Sequence, residues 1–566
     1  MSSISGFTQI EPSSDIWFSV VINTDNRLDY LKRTLSGLAY QRYRKFEVCI
    51  VCGPTDDGTR DYVESLMTDV KIAYCDERNL SQSRNIGIAM SAGDVVAFID
   101  DDAVPEAEWL EELALSYSDS TIGAVGGFVY DYTGVRFQST FVTITRLGYP
   151  VEWAGPASHL QFPFSQDVPH LLGTNCSFRR SALLEIGGFD EEYEYFLDET
   201  DLCCRINDAG YGIVQRDDAF VHHKFAPSHI RNDKRIVKNW YALIKNRIYF
   251  GLRNGLNHHS VEEITAAGVR DIGDWEAAII AGKAKGLYSQ NDLDRFYDEA
   301  RVGLRDGHAR GLEPAKYLKA ETLVAHETPF MPYRLNAEEG ARRVFCLVTP
   351  TYPLAPEDTA ADGFPRLARA LADKGHHVHV LTAAQEHASL DFEEGVWVHR
   401  MEMRGFVAPP SPLPAHDIPS DVWEYSRTML EEAMAINRRR KIGMIYCDCA
   451  KAGPLAFQME ADFAMMVAVH GGLKSASDSD GVALEEHVLG QADMIHIMGA
   501  VATQLRSSSI DLSSRKIIRS SAGEEASAKP LFANGSREKS CFVIKDEAES
   551  FGKYEEMMEE VAKSSS

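Results

Sequence analysis

From Trp17 onward, short apolar runs rich in β-branched residues alternate with stretches of helical periodicity. FSVVIN, FEVCIVC and KIAYC read as strands, while LDYLKRTLSGLAYQ, TRDYVESLM and SQSRNIGIAMSAG place their apolar residues along one helix face. The turn formers Gly53-Pro54-Thr55-Asp56-Asp57-Gly58 close the second strand. A further buried strand, VVAFI, runs straight into Asp100-Asp101-Asp102. This alternation predicts a mainly parallel, doubly wound sheet, whose ligands collect at the carboxyl ends of the strands. The three aspartates fall at such an end. Between about 235 and 340 the pattern changes to KNWYALIKNRIYFGL, VEEITAAGVRDIGDWEAAIIAGKAKG and NDLDRFYDEARVGLRDG, which are helical with no strand between them. A second alternating block opens at Arg343 with VFCLVTP, FPRLARALADKG and HHVHVLTA, and predicts a Rossmann-like sheet. The expected order is an α/β domain over 1–255, a helical connector over 256–340, a second α/β domain over 341–525, and a charged, flexible tail over 526–566.

Composition narrows this picture. At 566 residues the chain exceeds one hydrophobic core, and 44% hydrophobic with 25% charged residues is ordinary for a globular protein. A formal charge of −26 argues against a nucleic-acid partner, because phosphate backbones are neutralised by excess Lys and Arg. No apolar run is long enough to span a bilayer and the N-terminus lacks a signal-peptide pattern, so the expected location is cytoplasmic. Cys49 and Cys52 form a CxxC, but on a strand they face opposite sides, which favours buried spectator thiols over zinc or redox use.

Three successive aspartates after a buried strand are hard to explain structurally. They repel one another and lose hydration, so without a cation each raises its neighbours' pKa. A helix cap ahead of EAEWLEEL accounts for one of them, not three. Hard oxygen ligands suit Mg²⁺ or Mn²⁺ held jointly by carboxylates and substrate phosphates. A second acidic group, LDETDL, opens another helical stretch, where Asp198, Glu199 and Asp201 could serve as a base or merely favour the helix dipole. Arg205 lies one helical turn beyond Asp201, where it can pair with it.

The ordered motifs SVVINTDNRLDYLKRTL, VCGPTDDGT, SRNIGIAMSAGDVVAFIDDDAVPEAEWL, GTNCSFRRSALLEIGGFDEEY, LDETDLCCRINDAGY and VHH resemble family 2 glycosyltransferases over about 15–255. The resemblance implies a GT-A fold with a mixed sheet, and inverting transfer of a sugar from a nucleoside diphosphate, UDP by default, to a glycan or lipid-linked glycan hydroxyl. It places Asp100 and Asp102 as outer carboxylates of a DxD motif, with Asp102 as direct metal ligand and Asp101 or Asp100 reaching the ribose. His223 would complete the metal shell, with His222 facing the other way. Arg84 would contact the nucleotide, Thr24 the base, and Asn175, with Gly173 and Thr174, the donor sugar. Cys52-Gly53-Pro54 stands where many members carry a base-reading aspartate; Cys52 is the donor-side candidate there, with Asp56 and Asp57 as alternatives. Glu199 aligns with the catalytic base, Asp198 and Asp201 with its acidic companions, and the swapped order of acids leaves Glu199 and Asp198 both open. Gly187 to Asp190 resemble a loop walling the acceptor side.

The block from Arg343 resembles the N-terminal half of a two-domain GT-B (family 4-like) enzyme. Its loop Glu357 to Gly363 is acidic where a phosphate cradle would want backbone N–H groups. Acceptor binding, partner docking or homo-oligomer formation is therefore expected of it. His377 and His379 share a strand face there. The basic, aromatic KNWYALIKNRIYF could touch the inner face of a membrane, although a packed core helix uses the same pattern. A non-catalytic glycan- or nucleotide-binding scaffold is the alternative, which two retained acidic groups disfavour.

Overall fold

The computed structural model describes residues 16–227, 230, 232, 236–324, 329–336, 342–352, 363–414, 416–461, 463–469, 479–492, 494–498, 516–520 and 541–544. It divides into two units, Met1–Leu335 and Asn336–Ser566. The first opens with β1 (Phe18–Thr24), α1 (Leu28–Ala39), β2 (Phe46–Cys52), α2 (Thr59–Ser65), β3 (Lys71–Tyr74), α3 (Leu80–Met90) and β4 (Val95–Phe98). All of β2 is buried, as a strand covered on both faces must be, so FEVCIVC shows no polar alternation. Next come β5 (Ala103–Pro105), α4 (Trp109–Ser116), β6 (Ile122–Tyr130), β7 (Phe137–Ser139), β8 (Val142–Thr145), β9 (Pro150–Glu152) and β10 (Asp167–Pro169). Then follow β11 (Cys176–Arg179), α5 (Arg180–Ile186), α6 (Asp198–Asp208) and β12 (Gly212–His223).

The main sheet runs β3-β2-β1-β4-β11-β6-β12-β5, with β7 beside β6, while β10-β8-β9 form a separate small sheet. Strands β1 to β4 are parallel, but β11 runs antiparallel to both β4 and β6, so the sheet is mixed rather than mainly parallel. This is the GT-A arrangement. The chain leaves β1 toward β2 on one side and returns to β4 on the other. That reversal opens a crevice at the carboxyl ends of β1 and β4.

The stretch expected as a connector instead packs as part of the first unit. It contains α7 (Tyr241–Asn254), α8 (Val261–Ala284), α9 (Gln290–Gly311) and the short α10 (Ala320–Leu323). Capping boxes at Ser260–Glu263 and Ser289–Asp292 start the two long helices. Ten consecutive-turn residues of α7, from Ala242 to Leu252, are buried, including Lys245 and Asn246. Of the two uses its sequence allows, membrane contact or core packing, this helix serves the second, with its apolar faces taken up by protein. No helix among the described residues is long and apolar enough to cross a membrane.

The second unit holds β13 (Val344–Val348), α11 (Gly363–Asp373), β14 (His377–Ala383), β15 (Ser389–Glu393), β16 (Val396–Met401), α12 (Ser420–Arg439), β17 (Met444–Asp448) and α13 (Leu455–Glu460). It continues with β18 (Met465–Val469), α14 (Ser479–Gln491), β19 (Met494–Met498), β20 (Lys516–Ser520) and β21 (Cys541–Ile544). Its order β15-β16-β14-β13-β17-β18-β19-β20-β21 contains the doubly wound 3-2-1-4-5-6 pattern from β16 to β19. The segment expected as a tail contributes β21 to the sheet edge; its other residues, and Glu357 to Asp362 of the acidic loop, lie outside the described residues. His379 bonds across to His399 at 3.0 Å and His399 to Glu432 at 2.8 Å, a buried relay rather than a His377–His379 pair.

Close packing of β6 on β12 depends on Gly127, where an added Cβ would sit 1.7 Å from the Ala219 carbonyl oxygen. Gly127→Ala is expected to lower the urea midpoint by the equivalent of about 3 kcal/mol or more, since backbone must move to admit the methyl.

Candidate active site

The crevice at the β1–β4 reversal is a cavity of about 1130 Å³ in the first unit. Asp100, Asp101 and Asp102 border it, directly after the strand that delivers them. They do three different things. Asp101 is buried and takes a 2.7 Å hydrogen bond from Arg27, which follows β1. Burial raises the Asp101 pKa, and Arg27 only partly offsets it. Asp102 is also buried, and burial alone would raise it too, but His223 and Arg27 hold it low. Its Oδ2 accepts the Ala226 N–H at 2.6 Å. Asp100 is the most exposed, with one third of its side chain open to the cavity.

Asp100, Asp102 and His223 offer ligand atoms all within 4.8 Å of one another, and no other such group occurs among the described residues. Two observations test whether this set fits a cation. Asp102 Oδ1 is buried without a well-formed hydrogen bond, 3.3 Å from His223 Nε2. His223 Nδ1 lies 2.9 Å from Gln138 Oε1, an acceptor, so Nδ1 carries a proton and Nε2 is the nitrogen turned toward the two carboxylates. Burial would lower the His223 pKa but their charge raises it, and a cation would take the place of the Nε2 proton. Two hard oxygens and one oriented imidazole suit a divalent cation such as Mn²⁺ or Mg²⁺. His222 points the other way, 3.1 Å from Glu106, as strand alternation requires.

The second acidic group faces the same cavity from the start of α6. Arg84, on α3, is fully enclosed by the two groups: its Nη1 bonds Asp198 Oδ2, its Nη2 lies 3.8 Å from Asp100 Oδ1, and its plane sits over Phe189. Asp198 is thus consumed by an ion pair. Glu199 is not. Burial, and then the charge of Asp198, push its pKa up to about 8 against the opposing pull of Arg84. His170 Nε2 stands 3.9 Å from Glu199 Oε1 and bonds Thr200 Oγ1 at 3.1 Å. Burial lowers the His170 pKa to about 4, so this neighbour is neutral and adds no competing charge.

Three candidates sit away from the chemistry. Asp201 is fully buried and spent on Tyr193, Arg205 and Asn254, at 3.2, 2.6 and 2.9 Å, so it locks α6 to the core. Asn175 is likewise a core group: it accepts from Trp109 Nε1 at 2.8 Å and donates to the Phe128 and Ala219 carbonyls, while Gly173 and Thr174 face the cavity. Cys52 is buried at the end of β2, and the cavity wall passes instead over Gly53 and Pro54. Thr24 does line the cavity. Asp57 caps α2 through Thr59 and bonds the Leu28 N–H, which removes it as a base reader. The Gly187–Gly188 turn is held by Asn85, whose side chain bonds both the Phe189 N–H and carbonyl.

Arg27, Gln138, His170 and Asp25 escaped the sequence reading. Arg27 had a local signal, a basic residue just past β1. Gln138 had none, since a hairpin strand brings it to His223 from 85 residues away.

Residues 19–187 match glycosyl transferase family 2. This part of the chain is a family 2 glycosyltransferase domain. The chain is 27% identical over 244 residues to a glucosyl-dolichyl phosphate glucuronosyltransferase of Haloferax volcanii, covering 41% of this chain and 76% of that protein. It is 29% identical over 213 residues to a pre-mycofactocin glycosyltransferase of Mycobacterium tuberculosis, covering 36% of this chain and 42% of that one. Among solved structures, the mannosyltransferase PcManGT of Pyrobaculum calidifontis, in complex with GDP-Man and Mn²⁺, aligns at 16% identity and a TM-score of 0.33 over 53% of this chain and 88% of its own. The protein is a glycosyltransferase, and the second unit has no counterpart in the family match.

Two outcomes follow from this geometry. Asp102→Ala is expected to abolish Mn²⁺ binding by calorimetry and to lower the melting temperature, because it also removes the acceptor of the Ala226 N–H; Asp100→Ala, at the most exposed of the three acids, should weaken Mn²⁺ binding with little change in melting. If Glu199 is the group that takes the acceptor proton, it must be ionised to do so, and donor turnover should rise with pH through about 8. Folding raises this carboxyl's pKa from 4.5, so its contribution to stability is lost as pH rises from 4.5 through about 8. Glu199→Gln should therefore melt higher than wild type at pH 9 while losing transfer; a variant that melts lower there would refute the assignment.

Proposed function

We propose that the first unit transfers a sugar from a nucleoside diphosphate sugar to a glycan or lipid-linked hydroxyl with inversion, and that Glu199 is the base. The observation that carries this reading is the unequal treatment of the two adjacent acids. Asp198 is pinned to Arg84, whereas Glu199 faces the cavity with a raised proton affinity beside a neutral His170. A carboxylate of that affinity can take the acceptor proton near neutral pH, whereas a carboxylate held in an ion pair cannot.

Asp100, Asp102 and His223 would hold Mn²⁺ or Mg²⁺. A bound divalent cation supplies positive charge beside a departing diphosphate. The acceptor oxygen attacks the anomeric carbon, the bond from that carbon to the phosphate oxygen breaks, and the diphosphate leaves with the electron pair. Glu199 takes the hydroxyl proton at its free carboxylate oxygen. Arg84 holds Asp198 in an ion pair, which leaves Glu199 as the acid of the two that faces the cavity.

The nucleoside then lies away from Glu199, over the carboxyl ends of β1, β2 and β3. There Asp25 Oδ1 is buried without a hydrogen bond, while its Oδ2 takes Arg78 at 3.0 Å. A Cβ at Gly53 would lie 3.3 Å from Asp25 Cβ, so Asp25 occupies the space that a side chain at 53 would need. Its free oxygen suits a base edge that presents an N–H, as N3 of uracil or thymine and N1 of guanine do, which fits a UDP-, dTDP- or GDP-sugar donor. The second unit serves partner docking, acceptor binding or self-association rather than a second reaction.

A panel of UDP-, dTDP- and GDP-sugars with Mn²⁺ or Mg²⁺, scored by nucleoside diphosphate release, tests the reading. Turnover of a UDP-sugar by wild type and its loss in Asp102→Ala is the expected result. No turnover of any donor, with no effect of chelation on nucleotide binding, would sink it.

A further inference from the structure

Glu199 is delivered by a backbone that should not hold itself. In the four residues before Asp198, Glu194, Phe196 and Leu197 all have left-handed backbone, at φ of 57°, 75° and 68°. None is glycine, so each conformation is sterically costly and persists only where its surroundings over-determine it. Leu197 is also the N-cap of α6 and makes no side-chain cap. Something outside the loop must keep it in place.

The Leu80 N–H of α3 bonds the Glu194 carbonyl at 2.7 Å, and the side chains that hold the rest of the loop come from one turn of α7. Asn246 is fully buried and its amide nitrogen donates to the carbonyls of Tyr193, Tyr195 and Phe196, at 2.5, 2.6 and 3.1 Å. Lys245, also fully buried, donates to the Glu192 carbonyl at 2.6 Å and reaches the Glu192 and Glu194 carboxylates at 3.1 and 3.4 Å. Arg310 of α9 closes the same loop from outside, with its Nη1 at 2.9 and 2.7 Å from the two Glu192 oxygens. Behind α7, Gly303, Gly307 and Gly311 form a ridge along α9 at every fourth residue. A Cβ at Gly307 would lie 2.6 Å from the Lys245 carbonyl, and one at Gly303 would lie 3.1 Å from that of Tyr241. The ridge lets α7 seat closely enough for Lys245 and Asn246 to reach the loop.

We propose that Lys245 and Asn246, seated by the α9 glycine ridge, are positioning residues that hold loop 192–197 in its left-handed course and so aim Glu199 into the cavity. On this account the helical extension α7–α9 is a buttress for the transfer step. The inference rests on the assignment of Glu199 as base, but the loop-holding part can be measured without it.

The test uses the full chain and the variants Asn246→Ala and Arg310→Gln, the second being a milder change at a half-exposed residue. Amide exchange over 192–200, without ligand, is expected to accelerate by roughly tenfold or more in Asn246→Ala and by less in Arg310→Gln, while amides of β1 to β4 keep their rates. With the donor that wild type turns over, kcat should fall on the order of 10²-fold in Asn246→Ala, since misplacing a reacting group by about 1 Å has that effect. The KM for donor, and the affinity for UDP with Mn²⁺ by calorimetry, should stay within about twofold, which a general loss of structure would not allow. Unchanged exchange in both variants, or faster exchange with unchanged kcat, overturns the proposal. If wild type turns over no donor, the sugar-transfer reading fails, and the exchange rates alone still decide whether these side chains hold the loop. Should Asn246→Ala not fold, Arg310→Gln carries the same two readouts, and no change in either overturns the proposal.

Discussion

Two guanidinium groups, Arg84 buried and Arg27 partly so, make the cavity possible. Eight acids line it, and five of them converge from two elements, Asp100 to Asp102 after β4 and Asp198 and Glu199 at the start of α6. Unpaired charges at that burial would either neutralise or push the walls apart. Arg27 takes up Asp101, and Arg84 takes up Asp198 while leaning toward Asp100. What is left outside the two arginine hydrogen bonds is the set of groups that face a ligand: Asp100, the Asp102 oxygen beside His223, and Glu199. The arginines sort the acids into those that hold the structure and those that can react.

That sorting needs the second acidic group to arrive at the right height, and the first unit devotes a helical layer to it. Helix α7 is buried along almost its whole length, although it carries Lys245, Asn246 and Arg247. Each polar group is used on a loop: Lys245 and Asn246 on 192–196, and Arg247 on the Leu147 and Gly148 carbonyls beside β8. A buried polar side chain is tolerated when its hydrogen bonds are met, and here the partners are loop carbonyls that would otherwise be orphaned.

Much of the first unit was legible because its signals are local. Apolar runs marked β1 to β4, DDD marked a strand end, and DETDL marked a helix start. The placement of Asp100, Asp102 and His223 together needed only the order of motifs and strand alternation to choose His223 over His222. Asp201 and Asn175 were misjudged because adjacent residues on a helix or turn point to different places: Glu199 faces the cavity and Asp201 the core, Thr174 the cavity and Asn175 Trp109. The Arg84–Asp198 pair, the Gln138–His223 contact and the seating of α7 join residues far apart in sequence, so no window of periodicity contains them. The α9 glycines were visible in RVGLRDGHARG, but a four-residue spacing of glycine says only that something approaches, not what.

Strand β12 carries a register irregularity between Arg216 and Val221 in its pairing with β6. Downstream of it, His222 packs flat on Tyr130 and His223 faces Asp102. The irregularity therefore acts as a phase setter for the rest of the strand. Losing or gaining one residue between 216 and 221 would exchange the two histidines, burying His223 and turning His222 toward Asp100 and Asp102, with no change in composition there. Length in this short segment is thus under a tighter constraint than identity, and drift in the family by insertion or deletion should be confined to the loops on either side of the strand.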